Sequence, residues 1–192
     1  MKCEYYQRKL NDVIQKCPIE AGIEILVYNL LDSVVNDDEY SLVDINRIWK
    51  RKDNRLNTEG GISDIAILST DFIFAKEDIG MVYGFVEVKA AGVALEKSDV
   101  QVSKQKKNVA HLIHTNGILW RYYFNGKKLR EINISESEVP YSFKTVKINK
   151  DRFEELKQSL KEIDWKLKKH NKCRKLEVLS KEELQNERVS IQ

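Results

Sequence analysis

Two prolines, eight glycines and three cysteines are few punctuating or cross-linking residues for a chain of 192. Pro18 and Pro140 stand far apart, and no Pro/Gly/Ser-rich stretch divides the sequence, so a linker between domains is not expected. Cys3, Cys17 and Cys173 form no Cys-x-x-Cys pair, which argues against a zinc knuckle and against a disulfide framework and for free thiols. No stretch approaches the ~20 consecutive apolar residues that cross a bilayer. Met1-Lys2-Cys3-Glu4-Tyr5 lacks the apolar run of a secretory leader, so a cytoplasmic location with no membrane partner is expected. Neither sign of charge dominates. With 33 Lys and Arg against 30 Asp and Glu, the net charge of +3 permits a nucleic-acid partner without demanding one. Bases outnumber acids between Lys144 and Lys175, where a basic surface is expected.

What the chain does have is enough apolar residues, 42%, to build a core, beside 33% charged residues that keep its mean hydropathy at −0.51. One domain over 1–192 is expected, with a core at about 18–148 and a helical extension at about 150–192. Tyr6, Leu10, Val13 and Ile14 repeat at helical spacing. So do Ile19, Ile23, Leu26, Val27, Leu30, Leu31 and Val34, which predict a helix over 18–35 with Pro18 in its first turn. The period then shortens. Leu42–Ile45 with Ile48 and Trp49, Ile62–Leu68, Met81–Lys89, His111–His114, Ile118–Phe124, Lys127–Ile134 and Phe143–Ile148 are strand candidates. Asn125-Gly126 is a strong hairpin signal that pairs the two strands around it. Leu95–Asn108 is polar and helix-forming. Phe153, Leu156, Leu160, Ile163 and Leu167 form an apolar stripe on a helix over 151–169, and Leu176, Leu179 and Leu184 suggest a short helix after it. The pattern predicts an α/β (α+β) fold: a mixed central sheet of four or five strands flanked by helices, with additional C-terminal helices.

The chemistry concentrates in Gly60-Gly61-Ile62-Ser63-Asp64-Ile65-Ala66 and Gly84-Phe85-Val86-Glu87-Val88-Lys89. Side chains on a strand alternate between faces, so Glu87 and Lys89 point one way and Val88 the other. If the Asp64 strand lies alongside, Asp64 joins the same patch. Two carboxylates and an ammonium among apolar residues suit phosphodiester hydrolysis. Mg²⁺ or Mn²⁺ prefers hard oxygen ligands, which Asp64, Glu87 and the Val88 carbonyl can supply, and Lys89 can orient or help deprotonate a water. The plainer reading is a salt-bridge cluster at a sheet edge, and the apolar flanks weigh against it.

Asp64 followed by Glu87-Val88-Lys89 resembles the PD-(D/E)XK nuclease superfamily. The later order, Gln101, then Thr115-Asn116-Gly117, then Trp120-Arg121-Tyr122-Tyr123, is similar to the N-terminal nuclease domain of type I restriction enzyme motor subunits. The resemblance spans about 19–126. It implies a restriction-endonuclease-like fold, metal-dependent endonuclease activity and DNA as substrate. It also implies a supporting glutamate on the helix before the sheet, Glu20 or alternatively Glu24, and a site glutamine, Gln101 or alternatively Gln105. Ser63 stands where the motif often has proline, and Gln105 where those domains often have tyrosine. No helicase motor accompanies it.

Other features carry plainer readings. His111 and His114, three apart on a strand, face opposite sides and are not expected to share a metal. Trp120, Tyr122 and Tyr123 can stack on bases, but core packing is the ordinary use. Lys157, Lys161, Lys168 and Lys169 can lie on phosphate or simply be solvated, and the apolar stripe of the same helix can form a homodimer interface. Gly60-Gly61 lacks the Gly-Lys-Ser/Thr of a phosphate loop and is expected to be a turn. The competing functional expectation is a non-catalytic nucleic-acid-binding module, or a subunit of a larger nuclease.

Overall fold

The computed structural model describes residues 1–46, 53–137 and 145–167. Two helices come first, α1 (Cys3–Lys16) and α2 (Glu20–Asp32). Strands β1 (Tyr40–Asp44), β2 (Ile65–Ser69) and β3 (Val82–Val88) follow, with a 3-10 turn at Asn54–Leu56 between β1 and β2. A second 3-10 turn, Leu95–Ser98, leads into α3 (Asp99–Gln105). Then come β4 (His111–Thr115), β5 (Leu119–Phe124), β6 (Lys127–Asn133) and α4 (Lys150–Lys161).

The six strands lie in the order β1-β2-β3-β4-β5-β6. Neighbours are antiparallel except β3 and β4. Those two are parallel, and a parallel pair needs a crossover. The crossover carries α3 and lays it on one face of the sheet. Alternation along the strands then separates two cores. Ile65, Ile67, Val86, Val88 and Ile113 pack with buried residues of α1, α2 and α4 on one face. Ala66, Leu68, Phe85 and Leu112 pack with Leu56, Val102 of α3 and Val109 on the other. The chain is therefore a mixed α+β fold with helices on both faces of a central sheet, consistent with the restriction-endonuclease-like architecture. Among the described residues no helix is long and apolar enough to cross a membrane.

Several expectations need correction. Among the described residues the sheet has six strands rather than four or five. In the described part of the last strand candidate, residues 145–148, Ile148 makes one bridge with Ser135; Phe143 lies outside the described residues, as do Ile48, Trp49, Lys168, Lys169, Cys173 and the tail leucines. Pro18 precedes α2 rather than opening it: Ile19 is extended (φ −99°, ψ 154°) and Glu20 is the first helical residue. The 95–108 helix is shortened at both ends. The expectations for Trp120 and Tyr123 stand in their plain form, since both are buried in packing clusters.

One tie fixes α1 to the sheet. The Tyr6 hydroxyl donates to the Gly117 carbonyl at 2.7 Å, fully buried. Gly117 has φ +82°, and a Cβ there would stand 3.0 Å from Ile23, so the turn after β4 tolerates only glycine comfortably. Burial pushes the Tyr6 phenol far above its ordinary range, so it stays a donor. Tyr6→Phe leaves that carbonyl buried without its donor. The expected cost is ~1–2 kcal/mol, or a fall in Tm of ~2–8 °C in a thermal melt.

Candidate active site

Asp64 immediately precedes β2, and its backbone is held from both sides. Its N–H donates to Val86 O at 3.1 Å, and its carbonyl accepts from Ile45 N at 2.9 Å. This places the side chain at the end of the β2–β3 pair, where Val88 N–H donates to Asp64 Oδ2 at 2.6 Å. Glu87 and Lys89 leave β3 toward the α3 face, opposite to Val88, as period-two alternation requires.

Glu87 is 1% exposed and is the hub of the site. Its Oε1 accepts from Lys89 Nζ at 2.7 Å and from Gln101 Nε2 at 2.7 Å, and its Oε2 accepts from Gln105 Nε2 at 2.6 Å. The two glutamines stand one turn apart on α3, so both reach the same carboxylate. Gly60 makes their position possible. A Cβ there would lie 2.6 Å from Gln101 O and 2.8 Å from Gln105 Cγ, so the Thr58–Gly61 turn presses directly on α3. From α2, Glu20 Oε1 comes within 3.6 Å of Lys89 Nζ. Carboxylate oxygens of Glu20, Glu24 and Asp64 lie within 4.8 Å of one another, and Glu24 also accepts from Asn46 Nδ2 at 3.0 Å. A cleft of about 370 Å³ opens here between Glu24, Ile25 and Tyr28 of α2 and Asp44, Asp64 and Ile65 of the sheet.

The electrostatics differ between the two buried carboxylates. Burial first, and the nearby Glu87 second, push the Asp64 carboxyl up to about 8, against the opposing Val88 N–H and Lys89. Lys89 moves the other way from what its burial alone would do. Desolvation is its largest influence and disfavours the charge, but Glu87, Glu20 and Asp64 together outweigh it and raise the pKa. The ammonium therefore stays charged, suited to donating to a water or a phosphate oxygen rather than to accepting a proton. Hard oxygens from Asp64, Glu20 and Glu24 clustered within ligand-sharing distance, with Asp64 short of compensating positive charge, are a donor set that fits Mg²⁺ or Mn²⁺.

The structure thus brings Asp64, Glu87, Lys89, Glu20 and Gln101 to one end of the sheet, with Val88 beside Asp64. It sets Glu24 and Gln105 there as well, so both pairs of alternatives meet at the site. Sequence reasoning missed the row that continues from Glu87. His114 lies opposite Glu87, Arg121 opposite His114, and Glu131 opposite Arg121, all on the α3 face. Ser98 Oγ donates to Leu95 O at 3.0 Å, so the 2.8 Å contact between His114 Nε2 and Ser98 Oγ needs the imidazole proton on Nε2. Burial, then Arg121 and Lys89, hold His114 down to about 4, so it is neutral near pH 7 and ties the 3-10 turn before α3 to the sheet. His111 faces the other side, bonded to Tyr122 Oη and Leu167 O, so the two histidines do not meet.

No family model matches the sequence, and no curated protein matches it significantly. Among solved structures, a chain of the DrdV–DNA complex determined by cryo-electron microscopy superposes with a TM-score of 0.56 at 12% identity, covering 83% of this chain and 95% of that one. At that identity the likeness concerns the fold.

Proposed function

We propose that this chain is a divalent-cation-dependent nuclease of the PD-(D/E)XK type that hydrolyses phosphodiester bonds in DNA. The observation that carries the reading is the meeting of Asp64, Glu87 and a charged Lys89 at the end of β2 and β3, with Asp64 left uncompensated by protein groups alone. The likeness to a chain of a DNA complex over 83% of the residues supports the choice of DNA.

In this reading Asp64, Glu20 and Glu24 would hold Mg²⁺ or Mn²⁺, with the Val88 carbonyl and Glu87 as the further oxygens of the site. A bound cation would neutralise the scissile phosphate and acidify a water. Lys89, fixed by Glu87 and Glu20, donates to the attacking water or to a non-bridging oxygen, placing positive charge where negative charge grows as the phosphorus–oxygen bond breaks. Glu87 holds Lys89 in place. Gln101 and Gln105 hold Glu87, and the second N–H of Gln101, on the more exposed of the two glutamines, is available to a phosphate oxygen.

The test is cleavage of plasmid and of single-stranded DNA with Mg²⁺, Mn²⁺ or EDTA. Wild type is expected to cut only with metal, and Asp64→Ala and Lys89→Ala are each expected to lose ~10²-fold or more in rate. Cutting that survives EDTA or both substitutions would overturn the reading. Binding without cutting by wild type would favour the non-catalytic module.

A further inference from the structure

The carboxylates of the site repel the substrate proposed for them. Glu20, Glu24, Asp44 and Asp64 line or border the cleft, and Lys89 is already engaged with Glu87 and Glu20. A phosphodiester backbone brought to that cleft needs positive charge nearby, on an element rigidly tied to it. Besides the basic stretch at 144–175, the sequence offers another: from Val100 to Arg130 there is no Asp or Glu at all.

The fold gathers the lysines of that stretch. Lys104, Lys106 and Lys107 lie on and just after α3, the helix whose Gln101 and Gln105 grip Glu87. Lys127 and Lys128 open β6 immediately after the Asn125-Gly126 turn. The turn and the end of α3 are in contact. Asn125 N donates to Ala110 O at 2.8 Å, a Cβ on Gly126 would lie 3.9 Å from Lys106 O, and Lys106 Nζ stands 5.4 Å above the Tyr123 ring. Four of the five lysines are exposed, and Lys106 is half-buried. The bordering acids are engaged: Glu59 with Lys107, and Glu96, Asp99 and Glu131 around Arg121, with Glu131 also on Lys128.

Helix α4, the basic stripe the sequence suggested, is a poorer candidate. It packs in the core on the opposite face of the sheet from α3. Lys157 pairs with Glu154, Lys150 approaches Glu4, and Lys166, just beyond the helix, pairs with Glu39.

We propose that Lys104, Lys106, Lys107, Lys127 and Lys128 form a docking lip that binds the phosphate backbone of duplex DNA and feeds it to the Asp64–Glu87 site. The inference rests on the nuclease reading for its direction: the lip starts on α3 beside Gln105, which holds Glu87, and runs to the Asn125-Gly126 turn at the Gly84–His111 end of the β3–β4 pair. Its test does not require cutting. Binding of a fluorescein-labelled DNA duplex and of an RNA duplex is followed by anisotropy in EDTA across a range of NaCl concentrations. Three proteins are compared with wild type: Lys104→Ser/Lys106→Ser/Lys107→Ser, Lys127→Ser/Lys128→Ser, and Lys157→Ser/Lys161→Ser on α4.

The slope of log affinity against log salt should become shallower in the first two, by ~0.9 for each phosphate of duplex DNA that is no longer neutralised, and stay unchanged in the third. The DNA duplex is expected to bind more tightly than the RNA duplex, and tighter binding of RNA would overturn DNA as the occupant. No wild-type binding, unchanged slopes in both lip variants, a shallower slope in the α4 variant instead, or equal competition by polyglutamate would overturn it. Metal-dependent cutting with unchanged slopes would sink the lip and leave the nuclease standing. Shallower slopes without cutting would do the reverse.

Discussion

Asp64→Asn is expected to melt at a higher temperature than wild type at pH 8 in EDTA, although it removes a residue proposed to be essential. The cause is the rise of the Asp64 carboxyl from 3.8 to about 8, through burial first and then repulsion by Glu87. In the unfolded chain this group ionises near pH 4. Between pH 4 and 8 the unfolded state therefore sheds a proton that the folded state retains, and stability falls as pH rises through that window. Below pH 4 both states are protonated and the two proteins should melt together; above pH 8 the gap is full and level. Asparagine keeps the shape and can still accept from Val88 N–H without carrying the charge. In a rigid, dry site a pKa rise of that size would be worth ~5–6 kcal/mol. Asp64 lines an open cleft where water and relaxation screen the charge, which brings the expected gain down to the order of 2 kcal/mol, or ~4–8 °C in Tm. A divalent cation should reverse the ranking, because it stabilises wild type by ~2.7 kcal/mol at a hundred times its Kd and has far less to bind in the variant. A variant that melts at or below wild type at pH 8 in EDTA would show that the site tolerates the Asp64 charge without a cation.

How far this was legible from sequence depends on how local each signal is. The Asn125-Gly126 hairpin, the apolar spacing of α2 and the alternation Ile65/Ile67 against Ala66/Leu68 are each set by neighbours a few residues away, and they appear where the pattern puts them. Asp64, Glu87 and Lys89 stand out because charge inside apolar strands is unusual. Glu24 beside Glu20, and Gln105 beside Gln101, were written in the sequence as helical neighbours. Both members of each pair serve the site, because residues four apart on a helix can reach one target. The row Glu87–His114–Arg121–Glu131 was not legible. It depends on the register of the parallel β3–β4 pair and of two antiparallel pairs, and register across a crossover leaves no mark in local spacing. The lysine lip was hidden for the same reason: Lys104 and Lys127 come together only when α3 and the hairpin turn meet. Net basic composition pointed instead to residues 144–175, where the described lysines of α4 largely face carboxylates of their own.

Glu87→Ala should destabilise the protein by ~3–5 kcal/mol, opposite in sign to Asp64→Asn although both side chains are buried carboxylates. The difference lies in what each faces. Asp64 has one backbone donor at 2.6 Å. Glu87 accepts from an ammonium and two amides, at 2.6 to 2.7 Å. Removing it leaves Lys89 with only the longer 3.6 Å contact to Glu20 and takes the acceptor from both carboxamides, and Gln105, fully buried, cannot turn to water. The expected fall in Tm is ~6–20 °C, with a matching shift of the urea midpoint at unchanged slope. Glu87→Gln should fall between wild type and alanine, since it preserves volume and one acceptor but turns an amide toward groups that are themselves donors. Asp64 supplies the internal check. In Glu87→Gln the second cause of its raised pKa is gone, so the pH window over which Asp64 costs stability should contract from its upper end. If Glu87→Ala and Asp64→Asn shift stability in the same direction at pH 8 in EDTA, the division between a satisfied and an unsatisfied carboxylate is wrong. The cation would then have to be held by Glu87 as much as by Asp64.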